Sequence, residues 1–171
     1  MPNSRLDASD HRILDTLQKD GRLSNIALAE RIGLSPTPCL RRVRRLEAEG
    51  YIEGYGARIH RRAVGLGLTA FVNIAIQDHA DHNAALFEEA LRSRPEVVAC
   101  HIVTGPADFL LEVVVPDLEA YSEFVLSTLL KLPGVKDVRS SFAMKTVKAP
   151  SILPLALAQD SDEGTPNAVT P

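Results

Sequence analysis

Four arginines within five residues, Arg41, Arg42, Arg44 and Arg45 in the run LRRVRRLEAEG, are the densest chemistry in the chain. A guanidinium combines a fixed charge with a planar fork of donors, which fits phosphate oxygens and the O6 and N7 edge of guanine in the major groove. The run lies on a helical pattern. With Leu40, Val43 and Leu46 inward and about 100° of turn per residue, the buried face centres on Val43. Arg41 and Arg45 then point away from it, and Arg42 and Arg44 lie along its sides. Ser35, Thr37 and Pro38 stand at the helix start, where backbone N–H groups and the Thr37 hydroxyl can meet a phosphate or a base edge. The alternative is a solvated basic face with no ligand. The elements around the helix decide between the two.

The other reactive side chains do not assemble into a site. His79, Asp81 and His82 resemble metal ligands, but the segment is polar and no Cys or third His is near, so it reads as a solvated loop. Cys100 and His101 are neighbours on a strand pattern and must point to opposite faces, so they cannot share a proton. The carboxylate pairs Glu88-Glu89 and Asp160/Asp162 fall on an exposed helix and in a polar tail. No P-loop, GxSxG, HExxH or GxGxxG occurs. The expectation is therefore no catalytic residue, no metal and no cofactor.

Charge supports the DNA reading once it is divided by position. Residues 1–62 hold 12 of the 19 Arg/Lys and 8 of the 22 Asp/Glu, a net of +4, leaving −7 for the rest. Cys39 and Cys100 lack CxxC spacing, which argues against a disulfide framework or zinc and fits a reducing cytoplasm; both are expected to be small buried fillers. No apolar run approaches the roughly 20 residues of a membrane span, and MPNSRLDASD is no signal peptide.

The elements that position the arginines are locally encoded. Leu6, Ile13, Leu14 and Leu17 predict a first helix over about 7–19, with Asp7 and Asp10 as cap and first-turn acid. Ser24 caps a second helix, which Gly33 ends. After Leu34, either Ser35 with Pro36 or Thr37 with Pro38 opens the third, which runs to Glu49. Tyr51 to Ile59 then read as strand, completing a winged helix-turn-helix over residues 1–62. Beyond Gly65 the pattern predicts strand 68–76, helix 83–92, strand 97–103, strand 109–115, helix 117–130 and strand 135–147. That β-α-β-β-α-β order is ferredoxin-like, so the fold class is α+β, with a second domain at 63–149. Such a sheet carries both helices on one face, and dimerisation would cover the other. Residues 150–171 have too little apolar surface to fold alone and read as a disordered tail.

Two segments carry a family resemblance: GLSPTPCLRRVRRLEAEGYIEGY, Gly33 to Tyr55, and TGPADFLLEVVVPDLEAY, Thr104 to Tyr121. Both resemble the Lrp/AsnC, or feast/famine, regulators, and the likeness extends from Leu6 to about Lys148. It implies a transcriptional regulator of amino-acid metabolism genes that binds double-stranded DNA, responds to an amino acid such as leucine, and forms dimers, often octamers. By position, Ser35, Thr37, Pro38, Arg41, Arg42 and Arg45 match the family's DNA-facing stretch. The turn Gly105-Pro106-Ala107-Asp108-Phe109 departs from a more acidic family turn ending in Tyr, and Ser140 replaces Thr; both bear on which effector is taken.

For an amino-acid effector, Asp108 offers an acceptor for the ammonium, and Gly105 lets backbone N–H groups approach the carboxylate. Thr104 and Ser140 add hydroxyls, Ala107 belongs to the same turn, and Ile102, Leu118 and Phe142 would line an apolar pocket. Without the resemblance, Gly105–Asp108 reads as a plain hairpin turn. Two other classes compete with the regulator: an architectural DNA-binding protein with little effector control, and a metabolite-binding enzyme with an accessory helix-turn-helix.

Overall fold

Asp7 caps α1 (Ala8–Lys19) with a capping box in the computed structural model, which describes residues 6–77, 81–149 and 152–156. Its carboxylate accepts from the Ser9 and Asp10 amides at 2.8 and 2.9 Å, and the Asp10 carboxylate accepts from the Asp7 amide at 3.0 Å. Helix α2 (Asn25–Ile32) starts on Ser24, whose hydroxyl accepts from Ala27 N–H, and α3 (Pro36–Ala48) follows after a short turn. Ile13, Leu28, Ala29, Ile32, Cys39 and Leu46 bury their side chains between the three helices. Against the expected strand, Tyr51–Ile59 make no ladder, because a strand needs a hydrogen-bonded partner and none pairs with them among the described residues.

Arg58–Val147 form a second compact unit, and the first draws on both Met1–Ala57 and Lys148–Pro171. Within the first, Gln18 on α1 holds the backbone of Leu153: its Nε2 donates to the carbonyl at 3.0 Å and its Oε1 accepts the amide proton at 2.8 Å. The sequence reading treats residues 150–171 as a free tail; residues 150–151 and 157–171 lie outside the described residues, as do His79 and the side chains of Asp81 and His82.

The second unit runs β1 (Leu68–Ile76), α4 (Asp81–Arg92), β2 (Val97–Ile102), β3 (Phe109–Val115), α5 (Leu118–Ser127) and β4 (Val135–Phe142). The sheet order is β2-β3-β1-β4 with every pairing antiparallel, the ferredoxin-like arrangement. Alternation assigns the faces. Ala70, Val72 and Ile74 pair with Val113, Leu111 and Phe109 and pack on Phe87, Leu91, Tyr121, Phe124 and Leu129 from the helical side. On the other face Phe71 is 41 % exposed, and Arg61 reaches across it to Glu112 at 2.7 Å.

Two boundaries and one burial stand out against expectation. Strand β4 ends at Phe142, not Val147, because its register has by then reached Ala70 and β1 has only two residues left before its start. Helix α5 stops at Ser127 and is followed by a separate tight turn at Leu129–Lys131. Cys39 is buried as expected but Cys100 is exposed, since β2 is an edge strand.

Candidate nucleic-acid interface and effector turn

The turn between α2 and α3 is set by backbone constraints. Gly33 adopts φ 72°, a left-handed conformation that glycine takes without steric cost, and Leu34 N–H returns to the Ala29 carbonyl at 2.9 Å. Ser35 is the cap and Pro36 the first helical residue, which settles the choice of start. Pro38 is tolerated because the first four helical amides have no intrahelical acceptor in any case. Asn25 Nδ2 donates to the Pro36 carbonyl at 2.8 Å, pinning the beginning of α3 to the beginning of α2. Ser35 makes no side-chain cap bond, and it and Thr37 are exposed at this end; Pro38 is half-buried.

The arginines divide differently from the helical-wheel expectation. Cys39 and Leu46 are fully buried, Val43 only partly, and Leu40 is 38 % exposed, so the inner face is turned by about 50° from the one centred on Val43. Arg41 and Arg44 are the two that face outward. Among the described residues, neither guanidinium has a hydrogen bond or ion pair. Arg45, expected outward, instead donates to the Asp10 carboxylate at 2.5 Å, and Arg42 donates to Asp10 at 2.9 Å and Asp7 at 2.6 Å. These bonds raise the pKa of Arg42, the bond to Asp7 most.

At the other candidate site, Gly105 has φ 122°, beyond the reach of most side chains. The turn it permits is held by Asp108: its carbonyl accepts from Val103 N–H at 2.9 Å, its amide donates to Ile74, and its carboxylate accepts from Ile76 N–H at 2.8 Å. Ala107 is buried beside it, Thr104 is exposed, and Ile102 is 73 % exposed. Ile102 also borders a cavity of about 580 Å³ lined by Leu91, Cys100 and Phe109.

Ser140 and Phe142 are not at this turn. The Ser140 hydroxyl is hydrogen-bonded to the Tyr121 hydroxyl, and Phe142 meets the Tyr121 ring edge-on at 5.1 Å. Their register partners are Val72 and Ala70, whereas Asp108 grips Ile76, so the two groups stand about 13 Å or more apart along β1. Leu118, 57 % exposed, opens α5 just after the Asp117 cap. One chain thus brings Ile102, Thr104, Gly105, Ala107 and Asp108 together and leaves Ser140 and Phe142 elsewhere.

Residues 6–53 match the model of a winged helix-turn-helix DNA-binding domain, and residues 69–153 match the Lrp/AsnC ligand binding domain. The leucine-responsive regulatory protein of Escherichia coli K12 is 46 % identical over 147 residues, 86 % of this chain and 90 % of that protein. The chain belongs to the Lrp/AsnC family. Solved Lrp/AsnC-like neighbours agree in fold over nearly their whole length. A transcriptional regulator from Neisseria meningitidis, crystallised as an L-Met complex, has 43 % identity and a TM-score of 0.86, covering 90 % of this chain and 99 % of that one. An AsnC family regulator from Agrobacterium tumefaciens has 38 % identity and a TM-score of 0.84, over 89 % and 99 %.

As an Lrp/AsnC member, the chain is a DNA-binding transcriptional regulator, and its family and relatives are regulators rather than enzymes. Among the described residues, no helix is long and apolar enough to cross a membrane. The sequence reading missed Asp7 and Asp10 as partners of α3 and Tyr121 as the partner of Ser140. Asp7 and Asp10 are legible as a cap and a first-turn acid, but no local pattern ties them to arginines more than 30 residues away.

Proposed function

We propose that α3 enters the major groove with Arg41 and Arg44 as its DNA contacts, supported at its start by Ser35, Thr37 and Pro38. The observation carrying this reading is that these two guanidiniums are exposed and unpaired among the described residues, while Arg42 and Arg45 are paired internally. Residues 1–62 act as the DNA-binding part and 63–149 as the effector part. Comparing duplex binding by Arg41→Ala and Arg44→Ala with the native chain tests the assignment. Loss in both with unchanged melting supports it, and native affinity in both removes it.

The effector is an amino acid with an apolar side chain, consistent with leucine-responsive relatives and an L-Met-bound neighbour. It docks at the turn of Thr104, Gly105, Ala107 and Asp108, with Ile102 and the adjoining cavity beside it. Because Ser140 and Phe142 lie away from the turn, they and Leu118 contribute only where another copy brings them close. The half-exposed Phe71 on the helix-free sheet face supports a homodimer, and exposed Leu126 and Leu130 on α5 and its following turn support further association, up to an octamer. Such a regulator works beside the chromosome, in the cytoplasm.

A further inference from the structure

Among the described residues, Asp10 is the one charged side chain fully removed from solvent. A carboxylate in that position must have its charge matched and its lone pairs filled. Both oxygens are engaged from α3: Oδ1 accepts from Arg42 at 2.9 Å, and Oδ2 accepts from Arg45 at 2.5 Å and from the Asp7 amide at 3.0 Å. The two arginines are one helical turn apart, so the grip has two points. One point would let α3 rotate about it; two fix both its rotation and its position along its axis. The Arg45 Nε is itself buried with no partner among the described residues, which shows how far that guanidinium is drawn inward.

We propose that Asp10 is a positioning residue for DNA reading: it sets the rotation of α3 and withdraws Arg42 and Arg45 from the DNA-facing set, leaving Arg41 and Arg44 to meet the duplex. This rests on α3 being the DNA-reading helix. The physical consequence is a division between affinity and selectivity. Attraction to phosphates grows with each unpaired cation and is blind to sequence, whereas base readout needs a few guanidiniums at fixed angles. Asp10 lowers the first to secure the second.

The test uses the full-length protein, a duplex selected from a random library and an unrelated duplex, with affinity measured against salt. Asp10→Asn keeps the shape and removes the charge. Its log K against log salt slope on unrelated DNA should steepen by about 0.9, one further phosphate contact. Its preference for the selected duplex should fall about tenfold, the scale of one lost base contact. Arg45→Gln should lower the preference without changing the slope, and the double variant should return the slope to the native value.

A purely structural role would scale both duplexes by the folded fraction, measured by circular dichroism, and leave slope and preference unchanged; that result overturns the proposal. So does a slope shallower by about 0.9 in Arg45→Gln, which would make Arg45 a phosphate contact. If Asp10→Asn does not fold, Arg45→Gln decides alone. If Arg41→Ala and Arg44→Ala bind as tightly as the native chain, the reading of α3 fails. If they lose binding while Asp10→Asn and Arg45→Gln keep slope and preference, only the positioning role fails.

Discussion

The Asp108 carboxylate accepts the Ile76 amide proton at 2.8 Å, which fastens the turn after β2 to the last residue of β1. The side chain proposed to meet an effector's ammonium is therefore also a structural clamp. On that proposal a change at Asp108 acts on two quantities, stability and effector response, which are measured separately.

Asp108→Ala leaves the N–H of buried Ile76 without its acceptor, at a cost of about 1–3 kcal/mol. A lower melting midpoint for the effector unit is expected, together with loss of the amino-acid-dependent change in duplex binding. A variant that melts like the native protein would deny the clamp, and one that melts lower yet still responds would remove Asp108 from the effector site.

Arg41→Ala and Arg44→Ala should each weaken binding to a selected duplex by about 1–3 kcal/mol. Their melting midpoints should stay native, because neither guanidinium has a partner among the described residues. Arg42→Ala should show the opposite profile, a lower melting midpoint from the lost bonds to Asp7 and Asp10. Calorimetry beside a gel-shift titration separates the two.

Acid should loosen the first unit partly through Asp7. The Asp10 amide, and after it the Arg42 guanidinium, hold the Asp7 carboxyl below its ordinary 3.8 against the opposing effect of desolvation. The folded chain therefore binds that proton less tightly than the unfolded chain. The stabilisation is complete above the unfolded value and is lost as pH falls through the folded one. Asp7→Asn, which can still cap α1, should flatten the melting curve between about pH 5 and about pH 3. The same acid sensitivity in both proteins would assign the effect to other groups.

Gln18→Ala removes both amide bonds to Leu153. These are exposed bonds worth at most about 0.5–1.5 kcal/mol each, so the expected result is faster proteolysis after β4 with little change in melting. Equal cleavage rates would mean that the amide pair does not hold this segment.

Most of the fold is legible because the signals are local. Asp7, Ser24, Gly33 and Asp117 announce helix ends within a few residues of where they act, and the apolar runs Leu68–Ile76 and Phe109–Val115 lie between Gly67, Gly105-Pro106 and Pro116, which mark the strands locally. What was misread depends on distant partners. The length of β4 is set by where β1 begins, and Tyr51–Ile59 find no strand to pair with among the described residues. The rotation of α3 depends on which apolar residues reach the core, Cys39 and Leu46 more than Val43, and goes with the ion pairs of Arg42 and Arg45 to a distant Asp10. The turn proposed for the effector is legible as a turn from Gly105 and Asp108, but the separation of Ser140 from it appears only once the register places Ser140 against Val72.

The hold of Gln18 on Leu153 bears on how the protein should be cut and recombined. The DNA-binding unit takes segments from both sides of the effector unit, so a fragment ending at Ala57 would lack its own closing piece. An effector unit from a related regulator is better grafted as an internal cassette replacing Arg58–Val147, which keeps both flanking segments, than joined end to end.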